Sequence, residues 1–218
     1  MADSLLNLTA KTMPYELKPL PFDKDLDGIS KNTNAIHHGK LYKGYVDKAN
    51  EVGEELGKLR SEIVADTAPG GNTSYSKLRA LKLGETFAVN GIYLHEWFFG
   101  ALGGDGDYTK APELSAAISE KFGSVENFQK YFGECAMAAR GWALLVWDLH
   151  EKKLKQYNGD MHDHAVWGCI PIIALDVYEH AYFIDHGSDR KTYIAVYWKN
   201  LNWEVLEKMF KKASKTEL

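Results

Sequence analysis

The chain has 218 residues, with 26 Lys and Arg against 30 Asp and Glu, a formal net charge of −4. That balance leaves no broad basic excess to meet phosphates, which argues against a nucleic-acid partner, and no apolar run is long enough to span a bilayer. Hydrophobic residues make up 45% of the sequence, with 6 Trp, 12 Tyr and 9 Phe among them, enough for a substantial core built round bulky rings.

Residues 1–22 read as irregular, with Pro14, Pro19 and Pro21 opposing helix. They lack a basic stretch followed by a long apolar one, so no signal peptide is expected. From about Leu26 to Ala65 the spacing turns helical, with Ile36, Leu41, Tyr45, Val46 and Val52 recurring near helical spacing. The loop "TAPGGNTS" follows, then a second helical region from about Tyr75 to Phe99. Two long helices joined by a Gly/Pro loop predict a helical hairpin. "GALGGDGDYTKAP" at 100–112 is the richest break and the best boundary, dividing the chain into 1–102 and 103–218. Two short helices come next, the second opened by Ser124. Then the period changes. "GWALLVWDLH" and "KKLKQYNG" predict a β-hairpin turning at Glu151-Lys152, and 168–177 a third strand. Helix resumes from Glu179, with a break near His186-Gly187. The fold class is α+β: an N-terminal long-helix hairpin followed by a C-terminal α/β part with a three-stranded antiparallel sheet. Two cysteines, Cys135 and Cys169, outside any CxxC pair, point to a reducing compartment and so to a cytoplasmic chain.

Eight histidines are present. His37 lies in the first long helix, on the face of Leu41 and Tyr45 at i, i+4 and i+8. His95 lies near the end of the second, amid Ile92, Tyr93, Leu94, Trp97 and Phe98. Each alone reads as an ordinary core histidine. Taken together with Asp176 and His180, at the end of the buried strand, they make three imidazoles and one carboxylate, a donor set suited to iron, manganese or zinc. Such a shell leaves room for a bound solvent molecule, as a reactive centre requires.

"DVYEHAY" at 176–182 resembles the D-x-W-E-H-A-Y signature of the iron/manganese superoxide dismutases. "AIHHGKLYKGYV", "NGIYLHEWFF", "GWALLVWD", "TYIAVYWKNLNWE" and "YELKPLPFD" resemble further motifs of that family, in order, over about residues 14–213. The resemblance implies His37, His95, Asp176 and His180 as ligands of one Fe or Mn ion per chain. It implies Tyr45 at the mouth of the substrate funnel, Trp142 in the wall round the metal and Arg190 near the funnel entrance. Glu179 would reach across a homodimer (or a tetramer built from it) to the ligand His180. The implied activity is conversion of superoxide to dioxygen and hydrogen peroxide, with protons supplied through bound solvent and Tyr45. Because the ion must alternate between oxidation states, zinc is excluded for that role.

The family sets a glutamine or histidine against the bound solvent. Gly91, four residues before His95, cannot supply it, so the loop "NGDMHDHAVWG" must, through His162 or else His164. Other positions depart from the pattern. Leu41 and Phe183 replace a polar pair that meets across the dimer, and Phe99, Leu144 and Tyr178 stand where tryptophans are common. Replacing both members of a buried polar pair avoids leaving one unsatisfied, so an apolar Leu41–Phe183 contact between subunits is expected. The alternative reading is a relative that keeps the fold or the metal site but serves as an interaction or scaffold protein.

Overall fold

In a computed structural model, residues 14–164 and 166–217 are described. The predicted irregular stretch continues through residue 30, and its residues 1–13 lie outside the described ones. The first long helix starts later than its spacing predicts, as α1 (Lys31–Ile36). Leu26 and Ile29 are instead bridged across Gly28, which has φ of 75°, and Ser30 caps the helix by accepting from the Thr33 N–H at 3.1 Å.

The helix continues through a π-helical turn, His37–Tyr42, into α2 (Lys43–Val64). A π turn adds a residue and shifts the phase of everything after it. The buried line therefore runs His37, Tyr42, Val46, Ala49, and Leu41 and Tyr45 are left half-buried rather than on the fully buried face. α3 (Lys77–Gly100) begins under a Ser76 cap, two residues after the predicted start, and packs back on α2, with Ala88, Ile92 and Leu94 buried in the core.

After the loop come α4 (Pro112–Phe122) and α5 (Val125–Ala138), the latter capped by Ser124 as expected. The α4 start has no cap of its own, and the buried Glu207 carboxylate accepts from the Glu113 and Leu114 N–H groups at 3.2 and 2.9 Å. The strands are β1 (Trp142–Asp148), β2 (Lys153–Gly159) and β3 (Cys169–Asp176), antiparallel in the order β2-β1-β3. The hairpin turns at Glu151-Lys152, with Lys152 at φ 50°. Register matters here. Trp142 stands opposite Gly159 on one side and Asp176 on the other, which brings three segments of the chain to one end of the sheet.

The C-terminal region is more broken than its spacing predicts. A 3₁₀ turn (Glu179–Ala181) leads into α6 (Phe183–His186), and Gly187 ends it as expected. A further interruption at 200–202 separates α7 (Arg190–Lys199) from α8 (Trp203–Ala213). Asn202 caps α8, and its own N–H donates to the Ala101 carbonyl at 2.8 Å. This seam joins the hairpin to the rest: Leu102 bridges Leu201, and the Gly104 N–H donates to the Asn200 carbonyl at 3.0 Å.

At Gly104 a methyl group would stand 2.0 Å from the Leu201 carbonyl oxygen and 2.4 Å from the Asn202 Cα. Gly104→Ala should cost about 2–3 kcal/mol, as overpacking against backbone does, read as a lower denaturant midpoint with unchanged slope. Gly57→Ala, in α2 with nothing within 4 Å, should leave stability unchanged or raise it by up to about 1 kcal/mol. Equal effects at the two positions would contradict the seam's role.

Candidate metal centre

Four donors converge from separate elements. His37 opens the π-helical turn, His95 lies in the last turns of α3, Asp176 ends β3 and His180 sits in the 3₁₀ turn. His37 is 1% exposed, and His95 and Asp176 are fully buried. The Tyr178 N–H donates to Asp176 Oδ1 at 2.9 Å, which turns the chain out of the strand. The Tyr193 hydroxyl donates to the Asp176 carbonyl at 2.8 Å. With Oδ1 so engaged, Oδ2 faces the imidazoles: His37 Nε2 at 3.1 Å, His180 Nε2 at 3.2 Å and His95 Nε2 at 3.6 Å.

His95 supplies the test of whether this cluster is a metal site. Its Nδ1 lies 2.6 Å from the Gly91 carbonyl, an acceptor only, so Nδ1 carries the proton and Nε2 a bare lone pair. That Nε2 is buried with no hydrogen-bond partner. A buried acceptor left unmet costs free energy; a cation among the donors would satisfy it. The four donor atoms lie within 4.8 Å of one another, and this is the one such group among the described residues. Donors about 2.0–2.2 Å from a common ion lie roughly 3–4 Å apart, as the separations to Oδ2 do.

The electrostatics favour the ligating state of three of the four groups, with His180 the exception. Burial, aided by His37, pushes His95 down to about 3, and burial lowers His37 as well. Burial alone would raise Asp176, but His180 and His37 outweigh it and hold the carboxyl far below its usual range. For His180, burial is outweighed by Asp176, which raises its pKa. At neutral pH the carboxylate is therefore charged and the two most buried imidazoles are neutral.

A second layer lies against this cluster. The Trp142 indole N–H donates to His162 Nδ1 at 2.9 Å, and His162 Nε2 lies 2.7 Å from the Tyr45 hydroxyl. Indole nitrogen only donates, so the neutral His162 must carry its proton on Nε2 and donate to Tyr45. The phenol proton remains free to point elsewhere. Burial pushes His162 down to about 4 and, with Asp176, raises Tyr45 to about 12. His162 is 1% exposed, whereas His164 is exposed.

The wall is aromatic. Trp142 and Phe99 have ring centroids 5.3 Å from His95 and 5.0 Å from His37 respectively, and Tyr178 stacks on His180 at 5.3 Å. Leu144, buried on β1, lies in the hydrophobic core. Arg190 donates to the Ala139 carbonyl at 2.8 Å and the Tyr182 hydroxyl at 3.2 Å. Glu179 and Phe183 are exposed and Leu41 is half-buried.

Sequence reasoning missed three contributors. Phe87 packs 4.6 Å from His162 and 6.0 Å from Tyr45; its spacing of 87, 91 and 95 along α3 was the available signal. Gly91 is the seat of Tyr45: a methyl group there would stand 2.8 Å from the ring. Tyr193, from α7, anchors Asp176; it lies within the quoted "TYIAVYWKNLNWE" segment, but nothing local there points to that contact.

Residues 14–103 match a family model described as iron/manganese superoxide dismutases, alpha-hairpin domain, and residues 110–209 match the C-terminal domain of the same family. The chain is 40% identical over 202 residues to an iron superoxide dismutase of Aquifex pyrophilus, covering 91% of this chain and 90% of that one. It is 35% identical over 204 residues to a manganese superoxide dismutase of Halobacterium salinarum, covering 92% and 96%. Matched in both halves and similar to iron and manganese enzymes along nearly its whole length, the chain belongs to the iron/manganese superoxide dismutase family.

Proposed function

We propose that this chain is a superoxide dismutase, and the observation that carries the reading is the bare His95 Nε2 facing Asp176 Oδ2 inside a closed set of four donors. His37, His95, Asp176 and His180 would hold one iron or manganese ion per chain. Such an ion supplies a centre that accepts an electron from one superoxide and returns it to the next. The balance is two superoxide anions and two protons giving dioxygen and hydrogen peroxide, so the protein must deliver protons.

The second layer suits that task. Tyr45, with a pKa of about 12, keeps its proton at neutral pH, and His162 Nε2–H fixes the phenol oxygen as an acceptor. The phenol proton is thereby left for the reactant side. Trp142 sets the direction of this chain of hydrogen bonds. Arg190 would help attract a small anion, an effect that weakens with salt.

The assembly we propose is a homodimer, with Glu179 of one protomer reaching His180 of the other and Leu41 meeting Phe183. Phe183 and Ile184, 54% and 49% exposed in the single chain, support this. A division of the chain near residue 102 is supported by the limits of the two family matches. Cytoplasmic residence is supported by the two free cysteines. Among the described residues no helix is long and apolar enough to cross a membrane.

The purified protein should remove superoxide in proportion to its iron or manganese content; a metal-filled protein inert to superoxide would contradict the reading. His180→Ala should lose metal, measured by elemental analysis, and unchanged content would refute that ligand. His162 titrates near 4 folded against an ordinary value near 6.5, so the unfolded chain binds more protons between those values. The folded state therefore loses stability as pH falls through that window. His162→Gln should flatten this loss in pH-dependent denaturation, and an unchanged slope would count against the buried neutral imidazole. Phe183→Asp should raise the dimer dissociation constant at least tenfold in sedimentation velocity, while an unaltered dimer would place the interface elsewhere.

A further inference from the structure

Tyr178 touches three parts of the site at once. Its N–H holds Asp176 Oδ1. Its ring lies nearly parallel to His180, planes 13° apart, with its centroid 5.2 Å from that of His162. Its hydroxyl donates to the Asp160 carbonyl at 3.3 Å. Asp160 stands two residues before His162 and is itself pinned, its Oδ1 accepting from the Arg140 N–H at 3.1 Å. The junction is tight. A methyl group at Gly141 would stand 2.9 Å from the Gly159 carbonyl oxygen, 3.0 Å from that of Asp160 and 3.0 Å from the Tyr178 ring.

We infer that Tyr178 is a positioning residue that ties the 176–180 segment to the loop carrying His162, so that His162 stays between Trp142 and Tyr45. This rests on the dismutase reading for its consequence, because a loop free to drift would break the 2.7 Å contact on which proton delivery depends. It rests on the geometry alone for the tie itself. The hydroxyl at the far end of the phenol ring reaches a backbone carbonyl. Phenylalanine fills the ring's place without that donor, and tryptophan carries its one N–H in a different position.

The test is hydrogen–deuterium exchange by mass spectrometry on the metal-loaded protein, with Tyr178→Phe beside the unaltered chain. Peptides across 159–168 should exchange about fivefold faster, as expected for losing one hydrogen bond of ordinary net strength. Metal content and exchange elsewhere should hold. kcat should fall several-fold with kcat/KM nearly unchanged, since the relay rather than the encounter is affected. Tyr178→Trp should behave in the same way, and it carries the comparison if Tyr178→Phe does not fold. Unchanged exchange across 159–168 would overturn the proposal. So would loss of metal with kcat and kcat/KM falling together, which would make Tyr178 a mere support for His180. If the unaltered protein proves inactive towards superoxide, the dismutase reading fails while the exchange arm still decides the tie.

Discussion

The structure turns on one buried carboxylate oxygen, Asp176 Oδ2, with three imidazole nitrogens within 3.6 Å of it. Few arrangements are less tolerant. A buried charge needs partners, and one of the nearest nitrogens, His95 Nε2, brings a lone pair where a donor would be wanted. A cation resolves both demands together, and it explains why four donors from four elements are held in a space from which water is largely excluded. The hairpin, the sheet and the 3₁₀ turn each contribute, so the cluster exists only when the two parts of the chain are joined. The seam between residues 101–106 and 200–202 is thus a requirement of the site as well as of stability.

The second layer is organised by the direction of its hydrogen bonds. Trp142 can only donate, and from that single fact the tautomer of His162 and the accepting role of Tyr45 follow. Sheet register makes this possible: Trp142 pairs with Gly159 and with Asp176, so the indole, the His162 loop and the ligand strand end side by side. Gly91 and Phe87 complete the seat of Tyr45.

Much of this was legible in the sequence because it is local. The helical hairpin, the β-turn at Glu151-Lys152, the Ser124 cap and the Gly187 break each rest on a few adjacent residues. The four donors were legible only as a set, to which the resemblance carried by "DVYEHAY" and its companion motifs gave a role. What could not be read depends on long-range packing or on small phase shifts. The π-helical turn after His37 moves Leu41 and Tyr45 off the fully buried face, and no residue type announces it. The delayed start at Lys31 and the break at 200–202 are set by contacts between distant segments. The choice of His162 over His164 as the buried ring is a matter of which side chain the loop turns inward.

Everything in the site depends on a redox-active ion occupying the His95 lone pair. The most direct measurement is anomalous diffraction from crystals of the protein as isolated, collected at the iron and manganese absorption edges. A single peak per chain is expected, bonded to Nε2 of His37, His95 and His180 and to Asp176 Oδ2. A metal-replete protein whose peak lies elsewhere, or whose His95 Nε2 remains unbonded, would contradict it.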